Sequence, residues 1–169
     1  MFMFTTIEQF KEEWRAESDS TRKVLAALTD ESLNLSATAD HRTIGRIAWH
    51  IVQTLPEMAK GTGLKMDGPS EHEPVPASAQ AIAQAYDKAA ESLLDQVVTN
   101  WNDDTLTIED DLYGQKWKRG YSLYGIIKHE VHHRGQLMVL MRMAGLKVPG
   151  VYGPSKEEWS QYGMPEPVV

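Results

Sequence analysis

Apolar residues recur every three or four positions in four long stretches of this sequence, the spacing that places them on one side of an α-helix. The stretches predict helices over residues 6–28, 43–60, 77–100 and 122–144, the first with Thr5 or Thr6 as its cap. The residues predicted on the apolar sides are Ile7, Phe10, Trp14, Val24, Leu25 and Leu28, then Ile44, Ile47, Ile51, Leu55 and Met58, then Ile82, Tyr86, Ala89, Leu93, Val97 and Val98, and finally Ile126, Leu137, Leu140 and Met141.

The segments between these helices are polar or rich in proline and glycine. Residues 61–76 predict a long crossover between the second and third helices. Residues 101–121 form either a packed loop or a short hairpin. After Gly145 we expect a tail with a helical turn over Ser155–Gln161, folded back over the helices.

The architecture follows from the apolar stripes. No run of alternating strands is present that could build a sheet, and four amphipathic helices bury their stripes most simply as a four-helix bundle. The predicted fold class is therefore all-α. At 169 residues the chain suits one domain, residues 1–169, long enough for its own core.

Composition excludes several kinds of function. The chain has no cysteine, so any bound metal must use nitrogen and oxygen ligands. A net charge of -7 and only small basic clusters argue against a nucleic-acid partner. We see no basic leader followed by an apolar run and no stretch of about eighteen apolar residues, so we expect a cytoplasmic protein with no membrane partner.

Histidines provide the main chemical signal. His129 and His133 are one helical turn apart and project from the same face of the predicted fourth helix. His50 lies at the margin of the apolar stripe of the second helix, three residues after Ile47. Three imidazoles would leave a divalent cation one open position, as in catalytic sites. We therefore predict a Zn²⁺ or Ni²⁺ site at His50, His129 and His133.

Structural explanations compete with this prediction. Considered alone, His50 has the pattern of a hydrogen-bonded core histidine, and the other two could form a structural pair or bind metal only adventitiously. Glu130 and Arg134 are spaced for an exposed helical ion pair. The remaining histidines are expected at the rim or in solvent: His132 on the fourth helix, and His41 and His72 in loops.

The same stretch also matches H-E-x-x-H, the zinc metallopeptidase pattern in which Glu130 would be the general base. The surrounding sequence fits poorly. No strands precede the motif, and the extended form of the pattern requires glycine where Gln136 stands. A metallopeptidase is therefore kept only as an alternative.

A larger set of motifs resembles the DinB/YfiT-like superfamily. It comprises the stretch from His129 to Leu137, the segment Pro149–Ser155 and residues 47–51 around His50, in the order and on the helices expected of DinB-like proteins. The resemblance implies an up-down-down-up bundle, often a homodimer, in which three histidines hold a divalent metal. Matched position by position, these ligands are His50, His129 and His133.

The activity implied by the resemblance is a thiol-dependent S-transferase or a metal-dependent hydrolase acting on a small-molecule substrate. A thiol nucleophile would have to be a low-molecular-weight cosubstrate, since the chain has no cysteine. Candidate catalytic or pocket residues are Glu130, Gln136 and Tyr152. The rival is a non-catalytic, metal-binding stress-response bundle that acts through a protein partner. A fourth protein ligand closing the metal shell would favour the rival.

Overall fold

Four α-helices make up about half of the computed structural model, which describes residues 3–168. They are α1 (Ile7–Ala26), α2 (Ile44–Ala59), α3 (Ala79–Asn100) and α4 (Arg119–Met143). Between α3 and α4 a two-stranded antiparallel hairpin is formed by β1 (Glu109–Leu112) and β2 (Gln115–Lys118). Short 3-10 helices occupy Asp30–Asn34, Lys60–Thr62, Asp103–Thr107 and Lys156–Tyr162. Residues 1, 2 and 169 of the predicted domain lie outside the described range.

Side-chain caps start three of the helices where the sequence predicts. The hydroxyls of Thr6, Thr43 and Ser78 each accept a hydrogen bond from the backbone N–H three residues further on. These bonds satisfy one of the N–H groups that the first helical turn leaves unpaired. No helix among residues 3–168 is both long and apolar enough to cross a membrane.

The helices form the predicted all-α bundle, in which α1 and α2 each pack against both α3 and α4. The start of α1 lies beside the start of α4, since the Phe4 N–H donates to the Gly120 carbonyl at 3.1 Å. Further along, the Trp14 indole N–H donates to the Ala90 carbonyl at 3.1 Å, and the Ile7 N–H reaches Asp103, just beyond α3. Helix α1 is therefore parallel to α4 and antiparallel to α3.

Helix α2 completes the up-down-down-up order. Near the middle of α2 His50 packs against His133, and near its end Met58 approaches Gly125, so α2 runs antiparallel to α4. Helices α2 and α3 point the same way and need the long crossover that the sequence predicts. This crossover is fastened to α2 by Gln53, whose amide nitrogen donates to the Ser70 carbonyl at 2.7 Å.

The core contains nearly all of the predicted apolar positions, Trp14 among them at 1% exposure. Val98 is an exception. It is 46% exposed while its neighbour Val97 is completely buried. Successive helical residues differ by about 100° in direction, so both valines cannot face the same narrow seam.

The predicted start of α4 at Ser122 is wrong by three residues. Residues 101–121 do contain the hairpin, and β2 leads directly into α4 at Arg119 without a side-chain cap. The close approach of Phe4 fixes this junction. A Cβ at Gly120 would lie 2.2 Å from the Phe4 carbonyl oxygen, so only glycine fits.

The tail folds back onto the bundle as expected. Val148 is buried with the core, and the predicted helical turn is present as the 3-10 helix Lys156–Tyr162. Glu158 holds the tail in shape by accepting hydrogen bonds from the backbone N–H groups of Gly150, at 3.0 Å, and Ser155, at 2.9 Å. The tail is further tied to α4 by an ion pair between Glu157 and Arg142.

Candidate metal centre

Three histidines from two helices converge in the cleft between α2 and α4. His50 extends from α2, and its ring centre is 5.2 Å from that of His129 and 4.6 Å from that of His133. One nitrogen of each ring lies within 4.8 Å of the other two, so the group could hold a metal ion. The structure therefore brings together the residues that the spacing and the resemblance selected.

The separation of the two α4 ligands suits a small divalent cation. The Nε2 atoms of His129 and His133 are 3.2 Å apart. Two nitrogens bound to one tetrahedral Zn²⁺ at its usual bond length would be roughly 3.3 Å apart. An α-helix provides this distance from residues one turn apart without distortion.

Gln136 fixes the orientation of the His133 ring. Its Oε1 lies 2.8 Å from Nδ1 of His133, and its amide nitrogen lies 3.1 Å from Nε2 of His132. An amide oxygen can only accept, so Nδ1 of His133 carries the proton and Nε2 keeps its lone pair for a ligand bond. Such contacts are typical of metal-binding histidines.

The electrostatics of the cleft keep the three imidazoles neutral. Burial, followed by the neighbouring His133, lowers the pKa of His50 to about 4. Burial and the same neighbour lower the pKa of His129 to about 4, and burial also lowers the pKa of His133. Neutral imidazole is the form that binds metal, so the donor set fits a divalent cation at neutral pH.

Glu130 points away from this cleft into the bundle. It is 1% exposed, and its Oε1 accepts hydrogen bonds from Thr21 at 2.8 Å and from Tyr86 at 2.9 Å. Burial raises the pKa of Glu130 to about 7, although both hydrogen bonds oppose the shift. A carboxylate packed among α1 and α3 is poorly placed to serve as the base of an H-E-x-x-H peptidase.

The predicted exposed ion pair between Glu130 and Arg134 is wrong. Arg134 is also 1% exposed, and its guanidinium donates to a Glu17 carboxylate oxygen at 2.5 Å and to the Thr21 hydroxyl at 3.0 Å. Thr21 in turn donates to Glu130. The helix spacing was right, but these two residues occupy the side of α4 that faces α1, where burial requires partners.

Tyr152, a candidate pocket residue, belongs to this buried cluster. Its hydroxyl donates to Glu17 at 2.8 Å and accepts from Arg134 at 2.7 Å. The ring itself is on the surface, and the residue is 69% exposed. These contacts connect the returning tail to α1 and α4 and do not reach the three histidines.

Two cavities open beside the histidines. The larger, about 530 Å³, is lined by His133, Gln136, Arg42 and Asp40, among others. The smaller, about 300 Å³, lies on the His50 side and is also lined by Arg42. Space for a small molecule is therefore present on both sides of the histidine group.

The other histidines lie where the sequence places them. His132 is exposed on α4, and His41 and His72 are exposed in loops. His41 lines the larger cavity and His72 the smaller one. The metal-capable group contains none of them.

Sequence reasoning missed the buried partners of Glu130 and Arg134. Glu17 and Thr21 follow Trp14 by three and seven residues and so share its side of α1. Polar residues on an apolar stripe are a usable signal of buried partners. The role of Arg42 at the cleft had no such signal, because it lies in the loop just before α2.

Fold and site together define a class: a four-helix bundle with a histidine group that could bind a divalent metal between α2 and α4. The profile of the DinB family matches residues 1–166. The chain is also 45% identical over 165 residues to YrdA, an uncharacterized protein of Bacillus subtilis (strain 168), covering 98% of this chain and 99% of that protein. The chain belongs to the DinB family.

Solved structures agree with this assignment. The crystal structure of a DinB-like protein from Bacillus cereus ATCC 10987 has a TM-score of 0.86 and 45% sequence identity, covering 89% of this chain and 100% of that one. A DinB-like protein of Bacillus subtilis, YjoA, has a TM-score of 0.65 at 16% identity, covering 85% and 97% of the two chains. The second likeness concerns the fold alone.

Proposed function

We propose that this protein is a divalent-metal-dependent enzyme that uses His50, His129 and His133 as metal ligands and acts on small molecules in the adjoining cleft. The supporting observation is the convergence of three neutral imidazoles within 4.8 Å of one another beside two cavities. Within residues 3–168 the group includes no fourth protein ligand. A shell left open in this way favours an enzyme over the non-catalytic, partner-binding bundle.

Thiol-dependent S-transfer is the leading reaction class. A bound cation would supply a Lewis acid that favours ionisation of a thiol or a water molecule. Of the two, a thiol ionises more readily, because its ordinary pKa is about 8.5. Glu130 is turned away from the cleft and can offer little assistance as a base. A low-molecular-weight thiol cosubstrate therefore suits the residues that are present.

Hydrolysis is the second candidate. Asp40 lines the larger cavity together with His133, so a carboxylate is available on the same side of the cleft. In this alternative Asp40 would take a proton from the attacking water. An Asp40→Asn variant would then lose hydrolysis, whereas S-transfer would not depend on this carboxylate.

The roles of the chain's own residues follow from their contacts. Gln136 would hold His133 in the tautomer that leaves Nε2 free. Ile47 and Leu140 line the larger cavity and would exclude water from the apolar part of a substrate. We further propose that the protein works as a homodimer, as the resemblance implies, and in the cytoplasm, as the sequence leads us to expect.

Tag-free purification followed by elemental analysis tests the proposal. We expect about one Zn²⁺ or Ni²⁺ per chain. Turnover assays would then pair simple thiols with electrophiles and, separately, measure ester and amide hydrolysis. A protein that binds no divalent metal after incubation with either ion would refute the proposed function. Sedimentation equilibrium at several concentrations tests the homodimer.

A further inference from the structure

We propose that Arg42 forms an anion-binding subsite of the cleft, and that the substrate or thiol cosubstrate carries an oxyanion group, such as a carboxylate, that pairs with it. The inference builds on the proposed function, because it takes the cleft beside the three histidines as the place where substrate binds. It adds the charge of the ligand and the residue that recognises it.

The position of Arg42 relative to the cleft carries the argument. Arg42 lines the larger cavity with His133 and Gln136, and it also lines the smaller cavity with His50. A group held by Arg42 would therefore lie beside the histidine group from either cavity.

The positive charge of Arg42 has no carboxylate partner among residues 3–168. Arg22, Arg119, Arg134 and Arg142 all form ion pairs with carboxylates of the chain. The exposed side chain of Arg42 makes no hydrogen bond or ion pair with any residue in the range 3–168, as is also true of Arg15 on α1. Asp40 lines the same cavity without pairing with it.

A second arginine, Arg46, adds positive charge on the same side of the histidines. Arg46, one turn further on, lines the smaller cavity and donates to Oε1 of Gln53 at 2.8 Å, with no carboxylate partner in the part of the chain described. Two arginines without carboxylate partners beside the histidines are notable in a protein with a net charge of -7. Guanidinium groups suit oxyanions because their planar donors match the two oxygens of a carboxylate.

Thiols of similar size that differ in charge test the subsite by titration calorimetry on the full-length, zinc-loaded protein. The probes are 3-mercaptopropionate and its neutral analogue 3-mercaptopropanol, with succinate as a carboxylate that lacks a thiol. We expect the wild-type protein to prefer the anionic thiol about 10-fold, the size typical of hydrogen bonds to charged groups. Arg42→Gln should abolish most of this preference, and Arg42→Lys should retain part of it.

The matched control is Arg15→Gln. Arg15 is exposed on α1 and lines neither cavity, so this variant should keep the wild-type preference. Zinc content is measured for each variant, so that a loss of metal is not mistaken for a loss of anion binding. An equal preference in the wild type and Arg42→Gln, or no preference in the wild type, would overturn the subsite.

Failure of the proposed function gives a different result. If the protein binds no zinc, or if neither thiol binds, the metal or thiol proposal fails, and succinate binding to the protein as isolated decides the subsite alone. Succinate binding that Arg42→Gln weakens about 10-fold supports it. Succinate binding that is absent, or unchanged by Arg42→Gln, refutes it.

Discussion

The hydroxyl of Tyr86 on α3 donates a hydrogen bond to Oε1 of Glu130 on α4 at 2.9 Å, although the residue before Glu130 is the candidate ligand His129. Two consecutive residues of α4 therefore face two different environments. His129 faces the metal-capable cleft with His133, whereas Glu130 joins a buried polar cluster with Thr21. This separation argues against Glu130 as the general base of an H-E-x-x-H metallopeptidase.

Removing a single ligand should release the metal and leave the bundle intact. We expect His50→Ala to lower zinc bound after dialysis at least about tenfold, because two imidazoles hold zinc far less tightly than three. Helical content by circular dichroism should not change, since His50 lies at the edge of the core. His72→Ala, in an exposed loop and outside the metal-capable group, is the control and should keep its zinc. Full zinc occupancy in His50→Ala would show that the trio is wrong.

Gln136 should affect metal affinity through His133. Its amide oxygen accepts from Nδ1, so Gln136→Leu removes the contact that sets the ring tautomer. We expect zinc affinity to fall about 10-fold to 100-fold, the usual effect of losing such a contact. A chelator competition titration measures the affinity, with Gln84→Leu, an exposed glutamine on α3, as the control. Equal affinities in the two variants would argue against a role for Gln136 in positioning His133.

Replacing only one partner of the buried ion pair between Arg134 and Glu17 should lower the free energy of unfolding. Arg134→Met leaves the Glu17 carboxylate, which is 6% exposed, without its cation. We expect a loss of about 3–5 kcal/mol in the free energy of unfolding, measured with urea. The double variant Glu17→Met with Arg134→Met should recover much of it, because no buried charge then remains unpaired.

Tyr152→Phe separates the tail from this ion pair. It removes only a hydroxyl that bridges Glu17 and Arg134, and we expect a smaller loss of about 1 kcal/mol. A loss as large as that of Arg134→Met would mean that the tail, not the ion pair, dominates the stability of this cluster.

The metal-free protein should lose stability as the pH falls from about 6.5 towards 4. The pKa values of His50 and His129 are lowered to about 4 in the folded protein from an ordinary 6.5, so between these values the unfolded chain binds more protons. These two histidines therefore lower the free energy of unfolding as the pH falls through this window, and their effect disappears above pH 6.5. Glu130 offsets part of the loss, because its raised pKa makes the folded protein bind a proton that the unfolded chain does not bind. Urea unfolding at several pH values measures the effect. His50→Ala should show a shallower dependence, and an identical slope would contradict the assignment.

Local geometry explains what could be read from the sequence about the site. His129 and His133 are one turn apart, and that spacing makes their side chains neighbours on α4, where their Nε2 atoms lie 3.2 Å apart. His50 was predicted as the third ligand from its place at the margin of the apolar stripe of α2 and from the family resemblance. The start of α4 was misplaced because Arg119 and Gly120 give no capping signal, and the junction depends on Phe4, which is more than a hundred residues earlier.

The sequence by itself determined the four helices, their buried sides and the pairing of His129 with His133, because these depend on contacts within a few residues. Only the tertiary structure decided that Glu130 and Arg134 are buried, that Tyr152 bonds to Glu17, and that Arg42 flanks the histidines. Each of these outcomes depends on which helix or loop covers a given face, and that is set by packing between segments distant in sequence.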